Sequence, residues 1–133
     1  MTSSPAAADT IYTHLEETGR TAKDYDLIVT GDLAGTGSEI LTEILCQKGI
    51  SLNNHLDCGN IIFDKEAQKV KSGGSGCGCV ASVFCSFLTN NITEGKLKKI
   101  LLVGTGALMS PSSVLVGEPI TGIAHAVTIE GCI

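Results

Sequence analysis

The chain has 133 residues, one domain's worth of sequence and enough to bury a core. Its net charge is −5, and its densest basic cluster is Lys96, Lys98 and Lys99, too small to neutralise a phosphate backbone, so nucleic acid is excluded as a partner. Hydrophobic residues make up 43 % of the chain and charged ones only 17 %, which implies that part of its surface is covered by a partner half or a second copy.

Taken in chain order, Ser4-Pro5 reads as a cap with proline at the first helical position. Ala7, Ala8, Ile11 and Leu15 follow on one face until Gly19 stops the helix. Leu27 to Thr30 is a short continuous apolar run, expected as a buried strand. Thr36-Gly37-Ser38-Glu39 has the spacing of a capping box, and Ile40, Leu41, Ile44 and Leu45 mark one face of a helix ending at Gly49. Residues 51–74 are the least regular, with a short strand expected at Ile61 to Phe63. From Cys77 to Leu88 the chain is apolar on nearly every side, so the helix expected from Ser75 to Asn91 is buried. Gly95 turns the chain into a central strand, Lys99 to Val103. A loop of about twenty residues, Gly104 to Gly122, then leads to the last strand, Ile123 to Ile129. Alternating helices and strands place residues 1–133 in the α/β class as a single unit.

No stretch is long and apolar enough to span a bilayer, which takes about 20 residues, and no charged leader precedes an apolar segment. The opening Met1-Thr2-Ser3-Ser4 is expected to be a truncated start, and any membrane association is expected to be peripheral. The six cysteines, at 46, 58, 77, 79, 85 and 132, form no C-x₂-C pair, and the histidines stand apart. No metal or disulfide framework is expected, and the cysteines read as reduced core residues. His14 is expected on a solvent-facing helix surface near Glu16 and Glu17, and His55 in the irregular polar segment. His125 alternates with Ile123, Val127 and Ile129 and is expected in the core with them.

The glycine-rich turn Gly73-Gly74-Ser75-Gly76 opens into Cys77-Gly78-Cys79, where the missing Cβ atoms allow backbone to approach a ligand or another element closely. This pattern, together with Tyr25-Asp26-Leu27-Ile28-Val29-Thr30-Gly31-Asp32, residues 100–111 and residues 122–130, resembles the stage V sporulation protein AD family of endospore-forming bacteria. The resemblance runs from about Pro5 to Glu130. It implies the C-terminal half of a thiolase-like fold: a mixed central sheet, helices on its faces and a buried glycine-rich helix. It also implies binding of dipicolinic acid and a part in the membrane machinery that moves this solute into the spore and serves germination. Implied partners are the N-terminal half of the same fold or a second copy in a homodimer, with other proteins of the sporulation membrane complex.

Thiolase-like enzymes carry a nucleophilic cysteine in the N-terminal half and two polarising groups, usually histidines, in the C-terminal half. The stretches that match those two groups here are residues 30–37 and Ser72-Gly73-Gly74-Ser75, and neither holds a histidine. Asp32 cannot donate to an oxyanion unless protonated, and its charge would oppose the developing negative charge. The resemblance therefore implies no catalytic residue, metal or cofactor. The candidate ligand-binding residues are Asp32, Gly73, Gly74, Ser75 and Gly76, because amides at the start of the buried helix suit a carboxylate. Close helix packing explains the same glycines equally well. An acyltransferase rests on fold analogy alone, and a purely structural interaction module also stays open. A hydrolase using Ser38 or Ser75 lacks a neighbouring base.

Overall fold

The computed structural model describes residues 3–69, 78–108 and 111–131. Helix α1 (Ser3–Thr18) buries Ala7, Ala8, Ile11 and Leu15, the stripe expected from the sequence. Ser4 is not its cap: buried in the first turn, its hydroxyl donates to the Gly37 carbonyl at 2.9 Å. That bond joins α1 to α2 (Ala34–Gln47), where a Cβ on Gly37 would sit 3.1 Å from Ser4 Oγ and 3.0 Å from Leu33 Cβ. Between the two helices runs β1 (Leu27–Thr30), buried at every position as a continuous apolar run requires.

Helix α2 begins ahead of the expected capping box. Its start is held from outside, by Asp57, and Ser38 donates back to the Ala34 carbonyl at 2.6 Å. The strand expected at Ile61 to Phe63 lies earlier, as β2 (His55–Asp57). Asp57 then caps a short helix α3 (Cys58–Ile61), its side chain accepting from the Gly59 amide at 3.0 Å. A single turn, α4 (Lys65–Gln68), is capped by Asp64 in the same way.

The helical run that follows is α5 (Cys79–Val83), a π turn (Phe84–Leu88) and α6 (Thr89–Thr93). Thr89 Oγ1 donates to the Phe84 carbonyl five residues earlier, at 2.6 Å, supporting the wider turn. The expectation that this helix is buried all round holds for one side only. Cys79, Val83 and Leu88 are buried, whereas Ala81, Ser82, Cys85, Ser86 and Phe87 are exposed.

Strand β3 (Lys99–Leu108) continues beyond the expected Val103, so the expected long loop opens as strand, and residues 111–120 of it hold a short helix α7 (Pro111–Leu115). β4 (Thr121–Glu130) pairs with β3 along its whole length. The sheet order is β2-β1-β3-β4, with β1 parallel to both β2 and β3, and β4 antiparallel. Ile28, Leu101, Val103 and Ala124 face α1 and α2 in one core. Leu27, Val29 and Ile100 face Cys58, Cys79, Val83 and Leu88 in the other. The α/β layering expected from the sequence is present, with a mixed sheet and helices on its faces.

The histidines correct three expectations. His125 does alternate with Ile123 and Val127, but all three are exposed, on the part of the α5 side of the sheet that the helical run does not cover. His14 is half-buried, its Nε2 within 2.5 Å of the Tyr25 hydroxyl, which Arg20 and Thr128 also contact. His55 lies on β2. Of the four described cysteines, Cys58 and Cys79 are buried as expected, and Cys46 and Cys85 are exposed.

Candidate functional site

In open α/β sheets, ligands bind beyond the carboxyl ends of parallel strands, where neighbouring connections leave toward opposite faces. β1 and β2 meet that condition. The chain leaves Thr30 for α2 and the first core, and leaves Asp57 for α3 and the second. Thr30, Asp32, Asp57 and Cys58 gather at this crevice.

Asp57 is 2 % exposed and organises the crevice. Its Oδ1 accepts from Thr30 Oγ1 at 2.5 Å and the Leu33 amide at 2.9 Å; its Oδ2 accepts from the Ala34 amide at 2.8 Å and the Gly59 amide at 3.0 Å. One side chain thus satisfies the opening amides of helices on both faces, groups a helix start leaves without internal partners. Ala34 sits at φ 61°, a region that residues other than glycine rarely adopt, and its bond to Asp57 holds it there.

A threonine hydroxyl has one proton. Since Thr30 donates to Asp57, it accepts from His55 Nε2 at 2.8 Å, so His55 carries its proton on Nε2 when neutral. Burial pushes the His55 pKa down, opposed by the charge of Asp57. From the β3 side, Thr105 Oγ1 accepts from the Asp32 amide at 3.1 Å. A Cβ on Gly31 would lie 2.8 Å from Thr105 Oγ1 and 2.9 Å from its backbone nitrogen, so glycine alone allows this approach. The loop 31–34 is therefore held from both neighbouring strands.

Burial first, then the proximity of Cys79, Asp57 and Asp32, pushes the Cys58 thiol up to about 12. The thiolate, the reactive form, is thus suppressed at neutral pH. Ser38 donates to the Ala34 carbonyl and accepts from Asn60 Nδ2 at 3.3 Å, a setting that offers no base for a nucleophile. Among the described residues, no group of three or more histidine, cysteine or acidic side chains could hold a metal ion.

Of the residues expected to bind ligand, the structure places Asp32 beside this crevice, on the loop after β1. Gly73, Gly74, Ser75 and Gly76 lie outside the described residues. Sequence reasoning missed Thr30, His55, Asp57 and Cys58. The available signal was an aspartate followed by a short polar-glycine segment, Asp57-Cys58-Gly59-Asn60, the composition of a helix start.

A four-stranded mixed sheet with helices on both faces and a polar crevice at its parallel strand ends is an α/β unit consistent with one half of a thiolase-like fold. The comparison with protein families then fixes its place: residues 1–130 match the stage V sporulation protein AD family, and the chain belongs to it. It is 48 % identical over 127 residues to stage V sporulation protein AD of Bacillus subtilis (strain 168). That alignment covers 95 % of this chain and 37 % of the relative, so the chain spans little more than a third of the relative's length. Among the described residues, no helix is long and apolar enough to cross a membrane.

Proposed function

We propose that this chain is the non-catalytic, ligand-binding half of a sporulation protein that binds dipicolinic acid and serves its uptake into the spore within a membrane-associated complex. Membership of the family supports the sporulation part of the reading, and the observation that carries the non-catalytic part is how the crevice's ionisable groups are engaged. Asp57 takes four donors, His55 Nε2 is engaged by Thr30, and the Cys58 thiol is held at about 12. An acyl-transfer site needs an imidazole or equivalent donor aimed at a developing oxyanion and a base of suitable pKa; these groups supply neither.

In this reading the dicarboxylate is held by backbone amides at Gly73, Gly74, Ser75 and Gly76, with Asp32 at its border. Two ionised carboxylates repel, so Asp32 restrains affinity. The N-terminal half of the same fold, or a second copy, covers the exposed side of the helical run at Phe87. Burying such an apolar side chain is worth roughly 1.5–3 kcal/mol.

The test uses the full-length protein. Calorimetric titration with dipicolinate is expected to detect binding, and acyl-coenzyme A turnover is expected to be absent. Asp32→Asn should tighten binding by about tenfold at low salt, equivalent to about 1.4 kcal/mol. Gly74→Ala and Gly76→Ala are expected to lower thermal stability, with Gly76→Ala the worse. Turnover of an acyl thioester that Asp32→Asn abolishes would replace this reading with an acyltransferase. Absence of both binding and turnover would leave the structural interaction module in its place.

A further inference from the structure

We infer that the groove between α1 and the outer edge of β4 is a docking site for an extended peptide segment in which basic and apolar residues alternate. β4 ends the strand order and, among the described residues, has β3 on one side only. Its register with β3 runs unbroken from Thr121 to Glu130. Edge strands are ordinarily protected by lysine, proline or a bulge, and β4 carries none of these. An unprotected edge of this length is a template for one more strand.

What borders the edge decides the occupant. Asp9, Thr10, Thr13, His14 and Glu17 of α1 line a groove of about 340 Å³ against Ala124, His125 and Ala126. Among the described residues no lysine or arginine lines it, and Asp9 and Glu17 are both exposed. Eight residues of helix separate these two carboxylates along α1, about 12 Å at the helical rise. Four residues of extended chain span about 13 Å. Basic side chains four apart on a docked strand therefore reach both.

The intervening side chains of such a strand point to the opposite face, beside Ile123 and Val127, which are 50 % and 55 % exposed. Thr10 Oγ1 already donates to the Ala124 carbonyl at 2.9 Å, so polar groups on α1 reach the strand backbone. That carbonyl keeps a second lone pair for another donor. A second copy is the poorer occupant. In a two-fold antiparallel pairing of β4 with itself, both α1 helices lie on the same sheet face, and their acidic rims meet.

This inference is independent of the dipicolinate reading, and its test involves no small ligand. The probe is a capped synthetic octapeptide of alternating lysine and valine, titrated into the full chain at low salt, with an alternating glutamate–valine octapeptide as control. Binding is read by fluorescence anisotropy, and its location by slowed amide hydrogen exchange along residues 122–129. The lysine peptide is expected to bind and protect β4, and the glutamate peptide to do neither. The double variant Asp9→Asn/Glu17→Gln, two exposed positions, is expected to fold normally and lose about fivefold in affinity through its two weak surface ion pairs. Equal binding of both peptides, unchanged affinity in the double variant, or failure to protect β4 would each overturn the proposal. So would β4 amides already protected in a dimer detected by light scattering before any peptide is added.

Discussion

The two faces of the sheet are covered to different degrees. On the α1–α2 face, Ala7, Ala8, Ile11, Ile28, Leu41, Leu45 and Leu101 are at most 5 % exposed, and helix-to-helix bonds such as Ser4 to Gly37 hold the layer down. On the α5 face the core under Cys58, Cys79 and Val83 is equally dry, but it gives way to Phe87, Ile123 and Val127, each at least 40 % exposed. The covered face has two long helices along it, and the other has a single helical run, Cys79–Thr93, that among the described residues leaves β4 exposed. One face supplies stability within this chain. The other supplies surface for something else to cover.

The largest test of that contrast is at the joint both faces share. Asp57→Ala strips four donors of their acceptor, at the start of α2 on one face and α3 on the other. The expected loss is about 3–5 kcal/mol in urea unfolding, since buried donors without partners bear their full desolvation cost. A loss below about 1 kcal/mol would mean that water replaces the carboxylate and that the faces are not coupled there.

The faces themselves are compared by Leu41→Ala and Phe87→Ser. Leu41 is fully buried, and its truncation is expected to cost about 3 kcal/mol. Phe87, 40 % exposed, is expected to cost less than about 1 kcal/mol and to reduce self-association in light scattering. Equal costs would show that Phe87 is covered in solution.

Gly31→Ala sharpens the picture at the crevice. A Cβ 2.8 Å from Thr105 Oγ1 and 2.9 Å from its backbone nitrogen must push β1 and β3 apart, at an expected cost of about 2 kcal/mol. Thr105→Ser is the control, because it keeps the hydroxyl that the Asp32 amide uses.

The smallest effect is on pH. The folded-state pKa of His55 lies below its ordinary 6.5, so the unfolded chain binds the proton first as the pH falls. His55's contribution to stability is therefore complete above pH 6.5 and is lost as the pH drops through its lower folded value. Unfolding midpoints measured between pH 7 and pH 5 should fall more steeply for the parent than for His55→Gln.

Much of the architecture was legible because periodicity reports burial. The stripe of α1 and the four-residue apolar run of β1 carry their partners' position in their pattern. The start of α2 was not legible, because what caps it stands 23 residues away on β2, and a local capping box at Thr36 looked sufficient. β2 itself has three residues of mixed polarity, below the length at which alternation can be read. The crevice was half legible. Asp32 could be placed from the resemblance, but the donors around Asp57 come together only once β1 and β2 are side by side. His125 went astray for a related reason: alternation tells which residues share a face, and only the neighbouring elements decide whether that face is wet.

The hydrogen bonds of α1 have a consequence for how the molecule comes to exist. Ser3 bonds to Gly106 and Thr10 to Ala124, and the Tyr25 hydroxyl meets Thr128, all across more than 100 residues of chain. During synthesis the first helix therefore emerges long before the strands that receive it. Its apolar stripe can meet α2 early, but its seat on the sheet is incomplete until β3 and β4 are made, and closing so long a loop comes before any reward from those contacts. Until then an apolar helix and an unpaired strand coexist in one nascent chain, the condition under which chains are most prone to aggregate and most in need of chaperones.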